Sequence, residues 1–375
     1  MREKDKIIES QAGFRKGYRK TDHIISPYAI IQKYLSKPGG RLYVAFVDLR
    51  KAYDSVTHST LFKALLRAGT SSTFIRAIMA MYDKFKACVR ANNDLTDFSD
   101  CSHGLKQGCV ASPTLFSIII NEIAIHTGLV ELLILLFADD IILMSVSQAD
   151  LQTQLDCLQE ACEVRNREVN YDKTKIMIFR KGGYVKKCEK WFIYGKELEI
   201  VNSYVYLGFL FTTILILNQS VTHLAKKKGG KTASFDVIRA YRRLDPKTKD
   251  TFFKIFDTQV QPVLLYAVEV WGTSFVNSPV EKVHTYVCKN ILGVSKRTPN
   301  IMAYGETGRY PPYITCYIRV LKYWFHMLHM SNDRILKQAY LMLKNLDEQG
   351  KVNWASKTKE ILYSAGFGFF RTLIC

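Results

Sequence analysis

The chain has 375 residues, 48% of them hydrophobic, with 53 Lys and Arg against 34 Asp and Glu, a formal net charge of +19. That length allows one large multi-lobed domain or two to three smaller ones around a sizeable core. The basic excess points to a polyanionic partner, nucleic acid first, and otherwise reads as a solvated positive face. Met1–Lys6 is charged and lacks an apolar signal core, and the longest apolar stretches, Leu129–Ala138 and Val205–Leu217, fall short of the roughly 18 residues of a membrane span. The expectation is therefore an intracellular protein, nuclear or cytoplasmic, neither secreted nor in a membrane. Nine cysteines form no C-x-x-C pair and no zinc-finger spacing, so they read as reduced, packing thiols.

In chain order, the Pro38-Gly39-Gly40 turn signal precedes Tyr43–Val47, a short apolar run that predicts a buried strand ending at Asp48. Thr57–Ala68 and Ser72–Tyr82 have helical spacing, and Ser112-Pro113 reads as a cap and first turn for a helix continuing through Leu115–Ile125. Leu132–Met144 is an apolar run with Asp139 and Asp140 at its centre, which predicts two buried strands joined by a tight, acidic turn. Gln148–Cys162 is an amphipathic helix, Thr174–Phe179 a strand, and Tyr204–Phe211 a β-prone stretch containing Gly208. From Gln219 the pattern is mostly helical, with a basic cluster at Lys226–Lys231 and amphipathic helices from about Val280. Strands dominate the first half and helices the second, an α+β chain with a helical C-terminal lobe. Neither a Pro/Ser linker nor an internal repeat is present.

Burying two carboxylates in an apolar run is costly unless they meet a metal or a partner. If the strand ending at Asp48 neighbours the one beside Asp139, the acids converge at one sheet edge. Three clustered carboxylates repel one another without cations, and hard divalent cations take carboxylate oxygens. Two such ions are what nucleotidyl transfer needs, one to activate a hydroxyl and one to steady the leaving oxygens. Taken singly, Asp48 also reads as a strand-end acid and Asp139-Asp140 as an ordinary polar turn.

Six segments in order carry a family resemblance: Gln11-Ala12-Gly13-Phe14-Arg15; Phe46-Val47-Asp48-Leu49-Arg50-Lys51-Ala52-Tyr53-Asp54; Gly104-Leu105-Lys106-Gln107-Gly108-Cys109-Val110-Ala111-Ser112-Pro113; Phe137-Ala138-Asp139-Asp140; Asn170-Tyr171-Asp172-Lys173-Thr174-Lys175; and Tyr206-Leu207-Gly208. Over roughly residues 7–320 the chain resembles the palm of reverse transcriptases, in particular those of non-LTR (LINE-like) retrotransposons. The resemblance implies a right-hand polymerase palm (an antiparallel sheet with helices) and partial fingers over 1–215, a helical thumb over 216–275 and a helical C-terminal region over 276–375. It implies RNA-directed DNA polymerisation, with an RNA template, a DNA primer, dNTPs and two Mg2+ ions, or Mn2+ in their place.

By the same resemblance Asp48 and Asp139 are the principal metal ligands, Asp140 supports them, and the Leu49 carbonyl adds an oxygen. Ala52, Tyr53, Gln107, Gly108 and Lys173 line the incoming nucleotide. Tyr53 stands where an aromatic excludes a ribose 2′-OH, and Lys173 where a cation neutralises pyrophosphate. Tyr206, Leu207 and Gly208 match a primer-grip turn. Lys226, Lys227, Lys228 and Lys231, with Arg239, Arg242 and Arg243, suit a thumb that contacts phosphates. Taken alone, Tyr53 reads as a core aromatic, Lys173 as a surface lysine, Gln107-Gly108 as a plain turn and the lysine cluster as a solvated helix face. Segments 262–272 and 288–293 are assigned to packing.

The family also carries an upstream fingers segment with a basic triphosphate grip, a longer interval than Asn121–Phe137, an endonuclease ahead of the palm and a Cys/His knuckle behind it. The expectation is thus a truncated copy, with a weakly supported arm before Asp139 and weak or absent activity. A catalytically inactive nucleic-acid-binding remnant is the alternative. An RNA-dependent RNA polymerase or an intron maturase is a third reading, opposed by the bulk of Tyr53 and by the lack of an added RNA-binding domain. Oligomeric state is not legible.

Overall fold

The computed structural model describes residues 7–83, 85–91, 94–127, 134–226, 231–241, 248–274 and 278–367. The chain divides into two compact units, Met1–His23 with Arg41–Asn202, and Ile24–Gly40 with Ser203–Cys375. Helix α1 (Lys20–Leu35) straddles the division. Among the described residues no helix is long and apolar enough to cross a membrane.

The first unit is built on a four-stranded antiparallel sheet of β1 (Arg41–Asp48), β2 (Ile134–Phe137), β3 (Asp140–Ser145) and β4 (Lys175–Arg180), in the order β2-β3-β1-β4. β1 is paired on both sides and its Val44–Val47 core is buried on both faces, which is why it reads as a continuous apolar run rather than an alternation. On one face Ala45, Val47, Leu136, Ile141, Leu143 and Ile176 join a single apolar core. Helices α2 (His58–Arg67), α4 (Ser112–Thr127) and α5 (Gln148–Glu163) contribute Leu61, Leu65, Phe116, Ile120, Leu155 and Leu158 to it. Thr57 and Ser147 cap α2 and α5 by accepting from Thr60 N and Asp150 N. Helix α3 (Ser72–Tyr82) inserts Ile78 and Tyr82.

Two expectations change. Ser112 opens α4 rather than capping it: its hydroxyl donates to the Lys106 carbonyl (2.7 Å) and closes the loop through Gln107 and Gly108. The arm before Asp139 is also supported on its outer edge. Ala12 N donates to Leu136 O (3.0 Å) and Leu136 N to Ser10 O (2.9 Å), so Ser10–Ala12 runs parallel along β2.

In the second unit the β-prone stretch is a hairpin, β5 (Ser203–Tyr206) and β6 (Phe209–Thr212). Its turn residues Leu207 (φ 46°) and Gly208 (φ 81°) both take the left-handed backbone that a two-residue hairpin turn of matching twist requires. Helices follow, among them α6 (Leu217–Lys226), α7 (Lys231–Tyr241), α8 (Lys249–Gln259), then Pro279–Leu292, Pro312–Leu328, Ile335–Glu348 and Trp354–Ser364. Their apolar faces bury Phe252, Phe256, Val287, Trp271 and Trp354.

Candidate active site

The hairpin of β2 and β3 turns through Ala138 and Asp139, with Phe137 opposite Asp140 and Ala138 in the left-handed region (φ 59°). Asp140 then sits directly across from Asp48 in the β1–β3 register. Residues opposite each other in an antiparallel pair share a face, with Cβ atoms about 4.5–5.5 Å apart. Asp139 occupies the adjoining turn. The acids feel one another: burial and then Asp48 raise the Asp139 carboxyl, while burial, Asp139 and Asp48 push Asp140 up to about 6. The expected convergence of three carboxylates at one sheet edge is thus the arrangement found.

Asp48 is gripped by the segment that leads into β4. Asn170 N donates to the Asp48 carbonyl (2.8 Å), Asn170 Nδ2 to Asp48 Oδ2 (3.0 Å), and Asp48 N to Thr174 Oγ1 (3.4 Å). Lys173 Nζ lies 3.4 Å from Asp48 Oδ2 with its side chain two-thirds exposed (67%). Leu49 is buried and bridges Val169. Asn170 is a site residue that sequence reasoning passed over; it stood inside a recognised motif but had no local feature marking its reach back to β1.

Tyr53 stacks on Phe116 (centroids 4.3 Å apart, planes at 16°) and meets Phe14 edge-on at 6.4 Å. Burial, and then the Asp139 charge, push its hydroxyl up to about 12, so the ring is both wedged and beside the acidic turn. The turn carrying it is pinned by buried Arg167, whose Nη1 donates to the carbonyl of buried Ala52 and to Ser55 Oγ. Exposed Gln107 donates to Asp54 Oδ1 (3.1 Å). Tyr53, Lys106, Gln107, Gly108, Cys109, Ser112 and Pro113 line an open cavity of about 480 Å³. Arg167 and Phe116 also escaped the sequence reading, because both act through contacts distant along the chain.

In the second unit Tyr206 is buried (2% exposed), so the hairpin presents its Leu207-Gly208 turn rather than this ring. Tyr266, which the sequence assigned to packing, holds that turn: its hydroxyl donates to Leu207 O, and a Cβ on Gly208 would come 3.4 Å from its ring. Lys226 ends α6 and is exposed. Lys227, Lys228, Arg242, Arg243 and the Lys231 side chain lie outside the described residues.

Among the described residues no three or more His, Cys, Asp or Glu form a ready metal cage. Mg2+ seldom uses one: it binds through one or two carboxylates and takes its other ligands from water and substrate phosphates. Three gathered carboxylates, two of them lifted by burial and then by their neighbours' charge, fit such a hard cation.

An antiparallel sheet with acids meeting at adjoining strand ends defines the palm of a nucleic-acid polymerase. The chain belongs to the reverse transcriptase (RNA-dependent DNA polymerase) family, whose model matches residues 2–211. Reverse transcriptases are generally Mg2+-dependent. Its relatives come from non-LTR retrotransposons. It is 27% identical over 263 residues to the RNA-directed DNA polymerase from mobile element jockey of Drosophila funebris, covering 67% of this chain and 28% of that protein. To the Pol polyprotein from type-2 retrotransposable element R2DM of Drosophila melanogaster it is 24% identical over 217 residues, 53% of this chain and 20% of that protein. The chain thus spans about a quarter of the length of these curated relatives. Among solved structures, apo telomerase from Candida tropicalis aligns with a TM-score of 0.43 at 12% identity, covering 88% of this chain and 57% of that one.

Proposed function

We propose that this chain is an RNA-directed DNA polymerase, extending the 3′-OH of a DNA primer with dNTPs on an RNA template, in the nucleus or cytoplasm. The observation that carries the reading is Asp48 facing Asp140 across β1 and β3, with Asp139 in the adjoining turn. Two Mg2+ ions, or Mn2+, held by these acids would supply activation of the 3′-OH and charge stabilisation for the leaving oxygens. Asp48 and Asp139 are the principal ligands, with Asp140 and the Leu49 carbonyl supporting them. Asn170 and Thr174 orient Asp48. Lys173 shares its charge with Asp48 and turns it toward the phosphates of a bound nucleotide. Tyr53, wedged by Phe116, with the buried Ala52 behind it, fills the space of a ribose 2′-OH. Gln107 and Gly108 form the wall opposite.

The functional partition is palm with partial fingers over 1–215, thumb over 216–275 and a C-terminal helical region over 276–375. The Tyr206–Gly208 hairpin guides the primer, and Lys226, Lys227, Lys228 and Lys231 contact phosphates. Extension of oligo(dT) on poly(rA) with Mg2+ tests the reading: robust synthesis by the wild type, abolished in Asp139→Ala. No synthesis, alongside salt-sensitive RNA binding, would leave a nucleic-acid-binding protein with a palm fold.

A further inference from the structure

The first unit carries a basic loop at the end of the sheet away from the acids. Arg180 closes β4 opposite Arg41, the first residue of β1, whereas Asp48 is the last. The two ends lie seven steps apart along the strand, about 24 Å at the usual rise, so this loop cannot touch the reacting nucleotide. Between Arg180 and Lys190 it exposes Lys181, Lys186 and Lys187, and among the described residues no acid pairs with any of the three. It also exposes Tyr184, at 91% one of the most exposed large side chains in the chain.

The loop is held firmly although its surface groups make few contacts. Glu189, 3% exposed, accepts from Arg41 Nη1 and Tyr43 Oη (3.0 Å) through Oε1, and from Lys186 N (2.7 Å) through Oε2. Arg41 Nη2 donates to Tyr184 O (3.2 Å), and Arg180 Nε to Gly183 O (2.9 Å). Gln148 Nε2 donates to the carbonyls of Cys188 (2.8 Å) and Lys190 (3.2 Å). A buried carboxylate and two arginines therefore fix a backbone whose outward side chains are lysines, Cys188 and one bare tyrosine. Preorganised display of this kind suits a ligand that brings its own negative charge and a flat face.

We propose that the 180–190 loop is a second single-stranded RNA contact, with Lys181, Lys186 and Lys187 on phosphates and Tyr184 stacked on an unpaired base. Aromatic stacking together with lysine contacts is the chemistry of sequence-tolerant single-strand binding. The proposal rests on the reading that this chain handles RNA, and it adds a footprint remote from the acids that anchors the strand without entering the chemistry.

The test is binding of a fluorescent single-stranded RNA to the full chain by anisotropy across a salt series, in EDTA, so that polymerisation plays no part. Tyr184→Ala should weaken binding at least about five-fold, and Tyr184→Phe, which keeps the ring, should stay within about two-fold. The triple variant Lys181→Ala/Lys186→Ala/Lys187→Ala should flatten the slope of log K against log salt by about two, at roughly 0.7 per lost phosphate contact. None of the altered side chains is buried, so melting temperatures should match the wild type. Equal losses with single-stranded DNA of the same length also support the surface, since none of these contacts needs a 2′-OH. Unchanged RNA affinity and slope in both variants overturn the proposal, as does a loss confined to anionic lipid vesicles. Because loop binding is read in EDTA and polymerisation by primer extension with Mg2+, failure of polymerisation and failure of the loop are separately visible.

Discussion

Asp140 keeps its proton up to about pH 6 because burial and two neighbouring carboxylates oppose its charge. An aspartate ordinarily titrates near 3.9, so between about pH 4 and 6 the folded chain binds more protons than the unfolded one. Its stability therefore falls as pH rises through that window and does not recover by pH 7. Asp140→Asn removes the charge and keeps the shape. In EDTA the variant should unfold at higher urea than the wild type at pH 7.5 and at about the same urea at pH 4; Mg2+ should narrow the gap by stabilising only the wild-type carboxylate. Parallel pH curves for the two proteins would contradict this account. Asn170 acts one step further out, through its hydrogen bond to Asp48 Oδ2. Asn170→Ala should raise the Mg2+ concentration needed for half-maximal extension about ten-fold, the usual scale for a residue that orients a ligand. A melting temperature near the wild type's would distinguish that effect from general loosening.

At the scale of elements, the acidic hairpin depends on a neighbour that no local pattern announces. Gly13 lies against its turn so closely that a Cβ would come 2.3 Å from Ala138 N and 3.0 Å from Ala138 Cα. Both are backbone atoms, so the clash cannot be relieved by a side-chain rotation. Gly13→Ala should push Ser10–Ala12 off the edge of β2 and cost about 1–3 kcal/mol in urea denaturation, in line with overpacked cores. The central strand, the acidic hairpin and helices α2, α3 and α5 were legible in the sequence because each has its own signal: an apolar run, an acidic turn, or helical spacing. The parallel edge at Ser10–Ala12 and the Asn170 grip on Asp48 were not. Each is a pairing between segments far apart in the chain, and periodicity within a segment says nothing about which distant segment it meets. The β5–β6 hairpin was half-legible. Gly208 marked the bend, but Leu207 is an unusual residue for a left-handed position and reads as more strand.

For the molecule as a whole, the division of the chain is the feature least visible in its residues. No composition change marks Asn202–Ser203, and the first unit is interrupted, because Ile24–Gly40 clusters with Ser203–Cys375. That segment carries most of α1, in which Ile24, Ile25, Ala29, Ile30 and Ile31 are each at most 3% exposed. Burying an isoleucine is worth about 1.5–3 kcal/mol, so the four of them together compare with the whole stability of a typical domain. Because Ile24–Gly40 groups with Ser203–Cys375, a fragment of 203–375 alone should be deficient. Expressed alone, it should unfold with a broad, weakly cooperative transition by circular dichroism and bind a hydrophobic dye. The same fragment with residues 24–40 tethered through a Gly/Ser linker should regain a sharp transition and lose the dye. If both unfold equally sharply, Ile24–Gly40 contributes nothing to the second unit, and the compact division of this chain follows its linear order after all.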